Sequence, residues 1–186
     1  MEKLQPLLLK DLEARYPRPD PKLLDARYYQ AIEGLNLKIV VLDDDPTGVQ
    51  TVHGVSVYTS WTEEMIASGF AEKSSLFYIL TNSRSFTREK TAAVHREIAR
   101  TIASAAKRTG QEYLLISRGD STLRGHYPLE TETLRHTLEA ESGVNIDGEI
   151  LIPFFQEGGR FTVNDTHYVC EENVLIPAGA TEFAKD

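Results

Sequence analysis

Three carboxylates stand in a row where an apolar run ends: Val40-Val41-Leu42-Asp43-Asp44-Asp45-Pro46-Thr47-Gly48. A second unusual segment, Ser117-Arg118-Gly119-Asp120-Ser121-Thr122-Leu123-Arg124-Gly125-His126, also follows an apolar run and adds arginines and hydroxyls. Thr81-Asn82-Ser83-Arg84-Ser85 and Gln156-Glu157-Gly158-Gly159-Arg160 repeat the theme on a smaller scale. Guanidinium groups hold carboxylate or phosphate in bidentate fashion, and carboxylates accept hydrogen bonds from hydroxyl groups. A ligand with an anionic end and hydroxyls along its length fits that combination. Asp-Pro-Thr-Gly by itself also makes an ordinary turn. The arginines have a structural alternative too, pairing with Asp44, Asp45 and Asp120. The site reading rests on the segments together, since binding residues concentrate on loops carried by a rigid scaffold.

The elements that must position these loops follow from the apolar spacing. Leu4, Leu8 and Leu12 predict a short amphipathic helix over 4–16. Asp20-Pro21 starts a second helix, with Leu24, Tyr28 and Ile32 on its apolar face and Gly34 ending it. Residues 1–36 thus form a helical arm, expected to pack on the flank of a domain spanning 37–186. Within that domain, strands are expected at Ile39–Leu42, Val55–Tyr58, Leu76–Leu80, Tyr113–Ile116 and Glu149–Phe154. Between them lie a short helix with Ser60 and Glu63 in capping-box spacing and Gly69 closing it, and a long helix over 87–108. A further helix opens at Pro128, with Leu134 and Leu138 inward. Alternating strands and helices of this length imply an α/β fold with a mostly parallel sheet. On such a sheet the polar loops share the carboxyl edge, where ligands of open α/β sheets bind. Asp44, Arg84, Arg118, Arg124 and Arg160 are therefore expected to face one cleft. The stretch from Phe161 to Asp186 has mixed strand and loop character and receives no assignment.

Bulk properties exclude several classes. With 186 residues, 41% hydrophobic and 26% charged, the chain has the composition of a globular domain. A net charge of −8 disfavours nucleic acid and anionic lipid as partners. The single Cys170 allows no internal disulfide, suits a cytoplasmic protein, and reads as a buried small hydrophobe. No apolar run reaches the ~18 residues of a membrane span. His53, His126 and His167 lie in or near loops without metal-ligand spacing, and His95 and His136 read as structural helix residues, so no metal site is expected. Neither the dinucleotide fingerprint nor the Walker A pattern occurs.

At these same loops the sequence resembles the N-terminal, substrate-binding domain of the four-carbon acid-sugar kinase family. The resemblance is carried by Asp43 through Gly48, Thr81-Asn82-Ser83-Arg84, Asp120-Ser121-Thr122-Leu123-Arg124-Gly125, and Ile152-Pro153 through Gly159-Arg160 with Val163-Asn164. It implies a Rossmann-like, three-layer α/β domain that holds a sugar acid such as threonate, erythronate or 3-oxo-tetronate. It also implies that ATP and Mg²⁺ serve the complete enzyme from a separate nucleotide-binding C-terminal half. This chain stops where the family continues into that half, so it is expected to bind no nucleotide tightly and to be inactive alone, whether truncated or one subunit of a split kinase. Asp44 or Asp45 then orients or deprotonates the acceptor hydroxyl. Arg118 and Arg124 hold the carboxylate, and Ser121 and Thr122 contact hydroxyls. Asp43, Thr47, Asn82, Ser83, Arg84, Asp120, Gly159 and Arg160 complete the expected substrate contacts. Two other functions remain open: a phosphatase-like hydrolase using Mg²⁺ at the Asp cluster, and a non-catalytic sugar-acid-binding protein. Homo-oligomerisation also stays open.

Overall fold

The computed structural model of the chain describes residues 5–17, 19–50 and 52–184. In chain order the main elements begin with β1 (Leu7–Leu8), α1 (Leu9–Arg15), α2 (Pro21–Ile32), β2 (Leu37–Asp43) and β3 (Val57–Tyr58). They continue with α3 (Glu63–Ala71), β4 (Leu76–Leu80), α4 (Arg88–Thr109), β5 (Glu112–Arg118) and α5 (Leu129–Ser142). The last are β6 (Arg160–Val163), β7 (Thr166–Glu171) and β8 (Val174–Pro177). These residues form two compact units, one over 36–150 and one joining the described residues up to Leu35 with those from Leu151.

The 36–150 unit is built on a parallel sheet in the order β3-β4-β2-β5. In its register Asp43 lies opposite both Leu80 and Arg118, so β2, β4 and β5 end level with one another. Alternation sends Val40, Leu42, Phe77 and Ile79 to one face, where they join Ile66 and Phe70 of α3, Ile98 and Ile102 of α4, and Leu134 and Leu138 of α5 in one buried cluster. The ends of α4 match their expected signals. The Thr87 hydroxyl accepts from the Lys90 N–H, and Gly110 caps the other end at φ +68°. Both sheets together give a mixed α/β fold, with five α-helices among the described residues.

Several expectations are corrected. The α3 cap is Thr62, two residues beyond Ser60, and its hydroxyl accepts from Met65 N. Gly69 lies inside that helix instead of closing it. A Cβ there would stand 2.8 Å from the Phe77 ring, so the glycine permits close helix–sheet packing. No residue of α2 is buried, and Leu24, Tyr28 and Ile32 are exposed instead of packed. The helix expected over 4–16 starts only at Leu9, because Leu7 and Leu8 pair with Leu175 and Val174; Leu4 lies outside the described residues. Cys170 is half-buried, not fully enclosed.

The largest difference is the fifth parallel strand. Residues 149–154 make no ladder, and Ile150 and Ile152 remain 87% and 71% exposed. Pro153 removes a donor from the run. At its end Phe155 is captured locally, giving its N–H to Arg160 O at 3.0 Å and accepting from Arg160 N at 2.8 Å. The loop at 156–160 therefore does not leave a strand of the parallel sheet. The unassigned tail forms an antiparallel sheet, β1-β8-β7-β6, around Tyr168, Val169 and Leu175.

Candidate functional site

The loops after β2, β4 and β5 are laced together by backbone hydrogen bonds just beyond the ladders. Thr81 N donates to Asp43 O (2.9 Å), Asp44 N to Arg118 O (3.2 Å) and Arg84 N to Asp44 O (3.2 Å). β4 and β5 lie on either side of β2, so Asp43–Asp45 leave the middle of the sheet at its carboxyl edge, the edge at which open α/β sheets bind ligands.

Two of these loops use the same local device. Asp45 Oδ1 accepts from Thr47 N at 2.8 Å and from the Thr47 hydroxyl. Asp120 Oδ2 accepts from Thr122 N at 2.9 Å and from the Thr122 hydroxyl. Each is an aspartate side chain mimicking a turn. The first turn folds Gly48 over Asp43 so tightly that a Cβ on Gly48 would lie 1.7 Å from the Asp43 carboxylate. In the second, Leu123 is held at φ +61°, a conformation that costs a branched residue free energy.

Every arginine of the three loops meets an aspartate. Arg84 binds Asp44 bidentately, at 3.0 and 2.8 Å, and reaches Asp45 at 3.3 Å. Arg124 binds Asp120 bidentately at 3.1 and 3.0 Å. Arg118 makes only a 3.5 Å contact with Asp43. The structural network weighed from the sequence is thus present, and Arg118 is its least committed cation.

The carboxyl groups differ sharply. Burial raises the Asp43 pKa to about 6, with Arg118 only partly offsetting it. Asp45 is lowered by its Thr47 hydrogen bonds. At Asp120 burial acts upward, but the Arg124 and Thr122 hydrogen bonds overcome it and hold the carboxyl well below the usual range. Asp44 is buried, whereas the Asp45 side chain keeps 25% of its surface.

Exposed or half-buried hydroxyls and amides of Thr47, Asn82, Ser121 and Thr122 surround these charges, with Asn82 in the left-handed conformation at φ 53°. Ser83 is fully buried and donates to Glu130 Oε1 at 2.8 Å. Gly159 and Arg160 lie in the other unit, where Arg160 gives a 2.6 Å hydrogen bond to Gly158 O. The Asp, Asn82–Arg84 and Arg118–Arg124 segments are therefore brought together, whereas Arg160 is not joined to them by the parallel sheet.

Sequence reasoning passed over Glu130, and His95, read there as a structural helix residue, is buried beside it. Glu130 is 4% exposed and His95 1%, with His95 Nε2 3.7 Å from Glu130 Oε1. Burial pushes the His95 imidazole below its ordinary value, with Glu130 pulling the other way. The missed signal was helical phase. Glu130 precedes Leu134 and Leu138 by whole turns, and His95 shares a stripe with Ile98 and Ile102, so both point inward.

Among the described residues, no group of three or more His, Cys, Asp or Glu side chains is arranged to hold a metal ion, and no helix is long and apolar enough to cross a membrane. A family model described as a sugar-binding N-terminal domain matches residues 39–186. No curated protein and no solved structure matches the chain.

Proposed function

The chain belongs to the sugar-binding N-terminal domain family, and from that premise we propose that it is the acid-sugar-binding half of an ATP-dependent four-carbon acid-sugar kinase. The observation that carries this reading is the convergence of three sheet-edge loops that pair arginines with aspartates and surround them with hydroxyls. A four-carbon sugar acid offers a carboxylate for the arginines and hydroxyls for the aspartates.

In this reading Arg118 anchors the ligand carboxylate, because its one contact with Asp43 leaves most of its donors unspent. Asp45 takes the acceptor hydroxyl, being the least buried of the three consecutive aspartates. Arg84 fixes Asp44 and Asp45 in place. Ser121 and Thr122 meet the remaining hydroxyls. Phosphoryl transfer depends on positioning and on charge neutralisation around the phosphates. ATP and Mg²⁺ are assigned to a separate nucleotide-binding half, as the resemblance implies, and the sheet of the 36–150 unit is read as the core of a Rossmann-like layer.

A thermal-shift screen tests the reading. Threonate, erythronate and 3-oxo-tetronate should each be compared with the uncharged four-carbon polyol erythritol. Stabilisation by at least one acid and none by the polyol is expected. No response to any four-carbon acid at millimolar concentration would remove the sugar-acid assignment.

A further inference from the structure

Behind the sheet-edge loops lies a buried polar layer. His95 Nδ1 is 2.9 Å from Thr91 O. A carbonyl oxygen only accepts, so Nδ1 carries a hydrogen. In a neutral ring Nε2 then presents a bare lone pair, and it faces Glu130 Oε1 at 3.7 Å. Oε1 already accepts the Ser83 hydroxyl at 2.8 Å. Two acceptors facing one another without a proton are unfavourable in a site this dry.

The layer also touches the front of the site. A Cβ on Gly125 would stand 3.1 Å from Asp44 Oδ2 and 3.9 Å from Glu130 Oε2, so both carboxylates converge on that glycine. The charged or titratable groups facing His95 are Glu130 from α5, His126 from the loop before it, and Asp44 from the loop after β2. His126 Nε2 is itself buried without a hydrogen-bond partner. Arg84 is spent on Asp44 and Asp45.

We infer that Glu130 and His95 are positioning residues coupled as one buried pair that gains or loses a single proton, and that this proton sets the charge behind Asp44 and so tunes anion binding in the loops. With the proton the pair is neutral and Glu130 holds Ser83, whose 3₁₀ turn carries Arg84 to Asp44. Without it a net negative charge stands behind an aspartate-rich site and opposes an anionic ligand. Anion binding therefore draws a proton onto the pair. The ligand part of this inference rests on the sugar-acid reading; the proton part does not.

Two measurements on the intact chain separate them. Imidazole ¹⁵N and ¹H NMR, between about pH 5 and 8, should show a His95 titration that is coupled to Glu130 and shifts to lower pH in Glu130→Gln, which removes the carboxylate facing Nε2. An ordinary imidazole titration of His95, unchanged by Glu130→Gln, would overturn the coupling. Should Glu130→Gln fail to fold, Glu130→Asp supplies the comparison: withdrawing the carboxylate by one methylene should move the His95 titration in the same direction, and an unchanged titration would overturn the coupling.

Calorimetric titration with erythronate in buffers of differing ionisation enthalpy then counts protons. Wild type should take up more protons than Glu130→Gln, and its affinity should fall more steeply with pH, at most about tenfold per unit for one linked proton. Equal proton counts in the two proteins would overturn the linkage. If wild type binds no four-carbon acid, the functional reading fails and the linkage with it, while the NMR result still decides whether the pair titrates as one.

Discussion

Asp43 shows how a single residue joins packing to chemistry. The turn at Asp45–Gly48 closes over its carboxylate, and burial raises its pKa to about 6. A folded-state pKa above the unfolded value means that the native state binds the proton more tightly. Stability is therefore lost as pH rises from roughly 4 to about 6, and the cost persists above that window. Carboxyl ¹³C NMR should find the Asp43 midpoint near 6, and Asp43→Asn should stabilise the chain at neutral pH by about 1–2 kcal/mol after allowance for solvent screening. Urea unfolding at pH 7 checks the second figure; a less stable Asp43→Asn variant would contradict it. The arginines allow a ranked test. Arg118→Ala should weaken sugar-acid binding by ~1.5–3 kcal/mol, the range for a hydrogen bond to a charged group. Arg124→Ala should also weaken it, but less, since Asp120 already engages that guanidinium. Calorimetry ranks the two, and the reverse order would move the carboxylate anchor to Arg124. Sequence alone made these Asp and Arg residues visible because runs of charge after an apolar strand are rare. Glu130 was hidden, and His95 was read only as structural, because the surroundings of both depend on which way a helix faces.

Elements were legible where local signals were strong. β4 lies at the expected residues, and α4 keeps its Thr87 start and Gly110 end. The β2 run, buried on both faces, needed only its continuous apolar residues to be recognised. Failures came where tertiary partners decide. The run at 149–154 has strand composition, yet the Phe155–Arg160 pairing and Pro153 take the chain elsewhere. The tail strands β6–β8 were illegible because short antiparallel hairpins draw their register from one another. Gly69 was misread as a stop signal, although its role is contact with Phe77. Gly69→Ala gains about 1 kcal/mol of helix propensity but forces a methyl into the ring at 2.8 Å. Overpacking of that kind costs about 1–3 kcal/mol, so a lower melting temperature is expected. A raised one would show that Phe77 yields without strain.

At the scale of the whole molecule, the net charge of −8 and the paired arginines shape what the chain can bind. A small anion must compete with aspartates already in place, so discrimination comes from hydroxyls as well as charge. Because the proposal assigns the phosphoryl donor to another half, these residues with ATP, Mg²⁺ and erythronate should form no ADP above background. Robust ADP formation would show that the nucleotide binds here. The central claim, a sugar-acid site built by the loops after β2, β4 and β5, is tested most directly by amide NMR during titration with erythronate and threonate. The account expects saturable shifts concentrated at residues 43–48, 81–85 and 118–126. Saturable shifts confined to other residues, or none in those three loops, would contradict it.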